Sequence, residues 1–219
     1  MIIKERVSKI PRKIIKKYRE IEPATIGHIK NFGFMSCSLR PAFDDFKIVG
    51  PAVTVRIPSI DSTLCHKVIE VVEEGDVVVI DRCGDTTYAC WGGVTTLAAK
   101  LQGAAGAIVD GAITDILEIR EHTFPVYYRC ISALTTKLLG IDGEINTTIQ
   151  CGGVTVHPGD LIVGDINGVV VVSPDEVEYV LEEALRRQER EKELIRRLKG
   201  GELLPHITGV DKLINLKKT

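Results

Sequence analysis

Two short apolar runs constrain the fold of this chain more than any other feature. Residues 77–81 (VVVID) and 106–110 (GAIVD) carry no polar side chain before their last position. Strands of a parallel sheet have this composition when both of their faces are buried. A helix-length segment, residues 94–102, separates the two runs, and Gly103 supplies its C-terminal stop. The alternation of strand, helix and strand predicts an α/β fold.

The rest of the chain predicts one domain with a helix at each end. We find no internal repeat and no linker in the 219 residues. Eight of the first twenty residues are Lys or Arg, and they predict a basic amphipathic helix over 1–20. Residues 21–172 form the predicted core, with further strands at 48–57, 124–128, 154–156, 161–163 and 169–172. Ser62 is expected to cap a helix over 63–74, and Ser173 a charged helix ending near Lys199, before an extended tail.

Composition excludes several classes of protein. The net charge of −2 and the aromatic content of 5% do not indicate a nucleic-acid partner. No apolar run approaches the ~18 residues that span a bilayer. The six cysteines include no C-x-x-C pair, which argues against a zinc site and for buried structural thiols. We therefore expect a cytoplasmic protein without a membrane segment, whose basic N-terminus is a solvated helix face rather than an RNA or lipid contact.

A glycine pair precedes the helix predicted at 94–102. Free backbone N–H groups at a helix N-terminus favour anions, and Gly92 and Gly93 would let a ligand approach them closely. The segment lacks the third glycine of a dinucleotide fingerprint and the Gly-Lys-Ser/Thr of a P-loop. A tight turn without any ligand is the alternative interpretation.

Carboxylates follow the strand predicted at 106–110. Such positions, just beyond the carboxyl end of a buried strand, often belong to ligand sites. Asp115 and Glu118 stand three residues apart and could share a helical face, where their oxygens suit Mg²⁺ or Mn²⁺. The alternative is structural, with Asp115 as a helix N-cap and Glu118 closing a capping box.

Taken together, these segments carry a family resemblance. The matching stretches are IVGPAVTV (48–55), HK (66–67), GDVVVID (75–81), GD (84–85), WG (91–92), AAK (98–100), residues 103–115, EIR (118–120), FPV (124–126), CGGV (151–154), PGD (158–160), GD (164–165) and GVVVV (168–172). In their order and spacing, residues 47 to about 172 resemble the RraA-like family. That family is named for the regulator of ribonuclease E activity A and includes 4-hydroxy-4-methyl-2-oxoglutarate aldolases.

The resemblance implies both a fold and a site. The fold would be a three-layer β/β/α architecture related to swivelling phosphohistidine-type domains, assembled as homotrimers or hexamers. In aldolase members a metal, held largely through water, lies beside an Asp that matches Asp115. Pyruvate is held there by backbone amides that match Gly92, Gly93, Val94 and Thr95.

One position departs from the family pattern. Members carry an Arg immediately before the metal-binding Asp, and here that residue is Thr114, which brings no charge to a substrate carboxylate. Arg82, Arg120 and Arg129 are candidates for the missing guanidinium. A second departure is His28, where members often have an Asp near the N-terminal helix.

Two functions of different class follow from the resemblance. The first is a divalent-metal-dependent lyase, a pyruvate aldolase or oxaloacetate decarboxylase, acting on a small 2-keto acid. Asp115 would anchor Mg²⁺ or Mn²⁺, Thr114 would contribute a weaker substrate contact, and Asp85 would donate or accept a proton through water. The second is a non-catalytic regulator that binds a protein partner such as a ribonuclease, favoured by Thr114 and by the charged C-terminal helix. A methyltransferase role ranks third, because no methyl-donor glycine motif is present.

Overall fold

The computed structural model describes residues 1–7, 10–58 and 60–216. Its strands are β1 (Ile2–Ile3), β2 (Arg40–Pro41), β3 (Ile48–Arg56), β4 (Val77–Asp81), β5 (Gly106–Ile113), β6 (Val126–Ile131), β7 (Glu144–Ile145), β8 (Ile149–Cys151), β9 (Val154–Val156), β10 (Leu161–Asp165) and β11 (Gly168–Val172). Its α-helices are α1 (Arg12–Tyr18), α2 (Pro23–Gly27), α3 (Thr63–Lys67), α4 (Gly93–Leu101), α5 (Ile116–Glu121), α6 (Val177–Lys199), α7 (Leu204–Thr208) and α8 (Val210–Leu216).

Four parallel strands form the centre of the main sheet. The strand order is β1-β7-β3-β4-β5-β6-β2, and β3, β4, β5 and β6 pair in parallel. The first half of β3 also pairs with β10, which forms an antiparallel hairpin with β11. The α/β class predicted from the two apolar runs is confirmed, since these runs are β4 and most of β5. The carboxyl ends of β3 to β6 meet at one edge of the sheet.

Side chains of the central strands alternate between two cores. In β4, Val78 and Ile80 pack among residues of α3, α4 and α5, whereas Val77 and Val79 face the opposite side. There they meet β8 and β9 through Ile149 and the hairpin β10–β11. Helices, main sheet and smaller β layer give the predicted three-layer β/β/α order. The burial of both sheet faces explains why β4 carries no polar residue before Asp81.

The terminal helices cover the outer face of the β10–β11 hairpin. Residues of α1, α2 and α6 form a third core cluster with Leu161, Val163, Val170 and Val172. The hydroxyl of Tyr18 in α1 donates a hydrogen bond of 2.8 Å to the carbonyl of Val177 in α6. The two ends of the chain are therefore joined in one cluster.

The helix predicted over residues 1–20 is shorter than expected. It covers only Arg12–Tyr18, directly after Pro11, and the chain starts instead with β1, which pairs with β7. Proline has no N–H and clashes with a preceding helical turn, so the helix begins behind it. Its amphipathic pattern is confirmed, because Ile10, Ile14 and Tyr18 are buried and Ile15 is partly buried.

Three other boundaries were wrong. The helix predicted over 63–74 ends at Lys67, continues as a 3₁₀ turn at Val68–Glu70, and receives no side-chain cap from Ser62. The strand predicted at 124–128 starts later, as β6. The charged helix predicted to begin at Ser173 is α6 and starts at Val177, because residues 174–176 form a turn.

The predicted extended tail is helical instead. It contains α7 and α8, while residues 217–219 lie outside the described part of the chain. Pro205 stands in the first turn of α7, where its missing N–H costs nothing, and Gly209 ends that helix in the left-handed conformation. Within the described residues, no helix has both the length and the apolar character that crossing a membrane requires.

Candidate active site

The candidate site lies where β5 ends and α4 begins. The segment before α4 runs beside the end of β5, since the Trp91 carbonyl accepts the Thr114 N–H at 2.9 Å and the Cys90 N–H donates to the Ala112 carbonyl at 3.2 Å. Trp91 is buried, and its indole N–H donates to the Thr96 hydroxyl inside α4 at 2.8 Å. These contacts bring the Gly92–Gly93 pair next to Asp115, although the two segments are 22 residues apart.

Asp115 has a left-handed backbone and an unusual side-chain role. Its φ is +52°, a conformation that costs energy for a residue with a Cβ. It stands at the N-cap position of α5 but forms no cap hydrogen bond with that helix. Its Oδ2 instead accepts the Gly93 N–H at 3.1 Å, and its Oδ1 accepts the Thr114 hydroxyl at 3.1 Å. The capping box considered for Asp115 and Glu118 does not form.

The two glycines make room for two carboxylates. A Cβ on Gly92 would lie 2.4 Å from Asp115 Oδ2, and a Cβ on Gly93 would lie 1.9 Å from Glu118 Oε2. Gly92 is extended, with φ of −150°, so its backbone does not need the left-handed freedom of a tight turn. The absence of side chains at these positions therefore serves the close approach of Asp115 and Glu118 to the start of α4.

Two of the four predicted amide donors are already used. The Gly92 N–H donates to the Thr95 hydroxyl at 2.9 Å, and the Gly93 N–H donates to Asp115. Val94 and Thr95 stand in the first turn of α4, and their N–H groups have no acceptor in the part of the chain that the structure describes. Free N–H groups at a helix N-terminus attract an anion. A carboxylate at this place would thus meet Val94 and Thr95 first.

The oxygen donors fit a hard cation that keeps most of its water. Asp115 and Glu118 are both exposed and both lie against the glycine pair. Across the described residues, no three His, Cys, Asp or Glu side chains are grouped as a complete metal site. Mg²⁺ is commonly bound through one or two carboxylates, with water and substrate completing its shell. The donor set therefore suits Mg²⁺ or Mn²⁺ and does not suit a structural zinc ion.

Asp85 lies in a separate group of contacts. Its Oδ2 accepts a hydrogen bond of 2.7 Å from Arg82, and its Oδ1 accepts the Thr87 N–H at 2.7 Å. Arg82 is fully buried and also donates to the carbonyls of Ile57 and Tyr88 at 3.3 Å. No hydrogen bond within the described chain joins Asp85 to Asp115, so the predicted proton transfer by Asp85 stays a prediction.

The other candidate guanidinium groups are also engaged. Arg120 Nε donates to the Ala42 carbonyl at 2.7 Å. Arg129 forms an ion pair with Asp110 and donates to the Ser38 hydroxyl at 2.5 Å. None of these contacts reaches Thr114. His28, the other departure from the family pattern, caps the C-terminal end of α2 and is exposed.

Two features of the site were missed or incompletely predicted. The position of Glu118 against Gly93 had only a helical spacing as its signal, and the spacing equally fitted a capping box. An exposed apolar stripe beside the site was not predicted at all. It consists of Val94 (78% exposed) and Leu101 (79% exposed) on α4, with Leu97 between them, and Leu117 (74% exposed) on α5.

Comparison with known proteins is consistent with this geometry. Residues 24–171 match the model of the RraA-like family, described as Aldolase/RraA. A Halalkalibacterium halodurans protein, provisionally named a 4-hydroxy-4-methyl-2-oxoglutarate aldolase, is 41% identical over 154 residues, which cover 70% of this chain and 73% of the relative. The family match includes the glycine pair and Asp115, and it excludes α1 and all of α6, α7 and α8.

Solved structures resemble the whole fold at lower identity. An uncharacterized Pseudomonas syringae protein has a TM-score of 0.81 at 22% identity, covering 94% of this chain and 97% of that one. An unusual Streptomyces coelicolor member of the RraA family of RNase ES inhibitors has a TM-score of 0.76 at 24% identity, covering 85% and 98%. Identities this low support the fold and carry no statement about activity.

Proposed function

The chain belongs to the RraA-like family, and on that premise we propose that it is a divalent-metal-dependent lyase acting on a small 2-keto acid. The reaction would be a retro-aldol cleavage or the decarboxylation of a β-keto acid. One observation carries the proposal: an exposed carboxylate, Asp115, lies against the N-terminus of α4, beside two backbone N–H groups without an acceptor among the described residues.

The chain's backbone would bind the substrate carboxylate. The N–H groups of Val94 and Thr95 lie in the first turn of α4 and have no acceptor among the described residues. These dipoles are fixed before substrate arrives, so they hold the carboxylate of the 2-keto acid without rearrangement of the protein. The Thr114 hydroxyl donates its one hydrogen to Asp115, so it would bind the substrate carboxylate only by turning away from Asp115, and more weakly than an Arg would.

Asp115, with Glu118 beside it, would hold Mg²⁺ or Mn²⁺. When bound, such an ion supplies a Lewis acid that polarises the 2-keto oxygen. The hydrogen bonds from Gly93 and Thr114 orient the Asp115 carboxylate. We keep Asp85 as the candidate for proton transfer through water.

We further propose that copies of this chain associate beside the site, as a homotrimer or hexamer. Val94, Leu97 and Leu101 stand at i, i+3 and i+7 of α4 and form one apolar stripe. Leu117 adds to it from α5. Contiguous exposed apolar surface of this kind usually marks an interface.

Oxaloacetate decarboxylation by the purified protein tests the proposal. Pyruvate release would be followed with Mn²⁺, with Mg²⁺ and with EDTA, against the same concentration of free metal ion. We expect turnover above the free-metal rate, with loss in EDTA and return when Mn²⁺ is added back. A rate equal to that of free metal under all conditions would contradict lyase activity on this substrate class.

A non-catalytic regulator is the second candidate, because Thr114 stands where lyase members carry an Arg, and the contacts of Arg120 and Arg129 lie elsewhere. Thr114→Arg separates the two functions. A lyase with a weakened site should gain roughly tenfold or more in kcat/KM for oxaloacetate, since the new charge pairs with the substrate carboxylate. An unchanged rate would favour the regulator. Lys137→Arg, a surface change away from the glycine pair, is the matched control.

A further inference from the structure

A cavity lies at the opposite end of the parallel strands from Asp115. Its volume is about 230 Å³, and it lies between α1 and the turn that precedes β4 and opens to solvent. Gly75 of that turn stands just before β4 starts, whereas Asp115 follows the end of β5, a parallel neighbour. The wall contributed by α1 precedes the family match, which starts at residue 24.

Three cations on this wall have no acidic partner. Arg12, Lys16 and Arg19 line the cavity, are exposed, and form no ion pair or side-chain hydrogen bond with any described residue. They stand at i, i+4 and i+7 of one helix, hence on one face. Like charges at this spacing destabilise a helix, although Lys16 and Arg19 gain some compensation from the helix dipole.

Arg6 shows what a structural arginine in the same cavity looks like. Its Nε and Nη2 donate to the two oxygens of buried Asp76, both at 2.6 Å, and its Nη1 lies 3.2 Å from Glu73. The fold therefore neutralises Arg6 and leaves the three cations of α1 facing open space. Glu74 is the remaining carboxylate of the lining.

The shape and charge of the cavity define a ligand class. Ile10, Ile15 and Pro51 form an apolar part of the lining, next to the cations. An arginine guanidinium can donate two parallel hydrogen bonds to two oxygens of a phosphate. A phosphate with two negative charges also pairs with more of the three cations than a carboxylate with one charge does. A volume near 230 Å³ suits a small metabolite.

We propose that this cavity binds a small phosphate monoester, with Arg12, Lys16 and Arg19 holding the phosphate and the apolar lining contacting its carbon body. A polynucleotide fits less well, because the chain is acidic overall and only 5% aromatic. The site is independent of the proposed lyase activity, since it shares no residue with the Asp115 region.

Titration calorimetry on the full chain tests the proposal, with inorganic phosphate and glycerol 3-phosphate as probes and acetate as the carboxylate control, at constant ionic strength. Arg12→Gln/Lys16→Gln removes two cavity cations. Lys13→Gln/Lys17→Gln removes the same charge from residues of α1 that do not line the cavity. All four side chains are exposed, and equal melting temperatures would establish that both variants fold.

We expect saturable binding of both phosphates by wild type. The affinity should fall at least tenfold in the cavity variant, stay within twofold of wild type in the control variant, and be unchanged in Asp115→Asn. Acetate should bind at least tenfold more weakly than phosphate. The proposal is overturned by the absence of saturable binding up to roughly 10 mM, or by equal losses in the two double variants, which would indicate a diffuse basic surface. Tight binding of single-stranded RNA that weakens equally in both variants would also overturn it.

Discussion

Asp61 and Asp115 occupy comparable places in the chain and have opposite environments. Each follows a strand of the main sheet and precedes a short helix, α3 or α5. Asp61 is only 1% exposed, and it accepts hydrogen bonds from the N–H groups of Thr63, Leu139 and Ile141 and from the Thr63 hydroxyl. Asp115 is exposed and accepts two, neither from its own helix.

The difference separates a structural carboxylate from a binding one. Burial raises the pKa of Asp61, but the hydrogen bonds from Thr63, Ile141 and Leu139 outweigh it and hold that pKa below the ordinary value. These bonds attach the 139–141 segment to the start of α3. Asp115 keeps open coordination sites and carries a strained backbone instead. A position just after a strand therefore does not identify a functional carboxylate. The number of hydrogen bonds that the carboxylate accepts, and the segments that donate them, separate the two cases.

The largest expected effect is loss of activity in Asp115→Asn. Asparagine tolerates the left-handed backbone, so the variant removes charge without adding strain. We expect the metal-dependent decarboxylation rate to fall by about 10²–10³-fold, and the free energy of unfolding to stay within about 0.5 kcal/mol of wild type. Steady-state kinetics and urea unfolding measure the two. If Asp115→Asn lost stability but kept its rate, Asp115 would be the structural carboxylate and not the binding one.

Asp61→Asn should show the opposite pattern. The asparagine side chain would turn its NH₂ group toward backbone N–H groups that need an acceptor. We therefore expect a loss of about 2–3 kcal/mol in the free energy of unfolding. Urea denaturation measures it, and Glu70→Gln, at an exposed carboxylate paired with Lys67, is the control with a change below about 0.5 kcal/mol. Equal midpoints for Asp61→Asn and Glu70→Gln would refute the structural assignment.

Gly92→Ala tests whether the position of Asp115 depends on the glycine pair. The new Cβ would lie 2.4 Å from Asp115 Oδ2, so that carboxylate must move, while the extended backbone accepts alanine. We expect kcat/KM to fall about tenfold, because small displacements at a reacting centre are costly. Gly27→Ala, whose Cβ meets only ordinary contacts with Phe34, is the control. Full activity in Gly92→Ala would exclude a tight fit around Asp115.

The smallest expected effect is on acid stability. The pKa of Asp61 is lowered by folding, so its stabilisation is complete above the ordinary value of 3.8 and declines as pH falls below it. We expect wild type to lose stability between about pH 5 and pH 3 more steeply than Asp61→Asn does. Urea midpoints across this range measure the slopes. Parallel slopes would mean that other carboxylates dominate the acid transition.

The part of the fold that depends on local composition was predictable. Strands β4 and β5 follow from apolar runs. The proximity of the glycine pair to Asp115 was predicted from the family resemblance, because the spacing of these residues alone does not show that they are in contact. Asp61 was not predictable as the carboxylate before α3, since two of its donors, Leu139 and Ile141, lie 78 and 80 residues away. The same holds for Arg82, whose burial depends on carbonyls from separate segments. Long-range hydrogen bonds leave no periodic signal in a sequence.

Helix α6 changes its mode of support along its length. Its first turns bury Val177, Val180 and Ala184, and Gln188 donates to the Glu20 carbonyl at 2.8 Å. Farther on, Glu189–Lys192 and Glu193–Arg196 pair within the helix itself. Exposed pairs of this kind contribute a few tenths of a kcal/mol and are screened by salt. The last eleven residues, about 16 Å of helix, therefore lose part of their support as salt is added, whereas the buried first turns keep theirs.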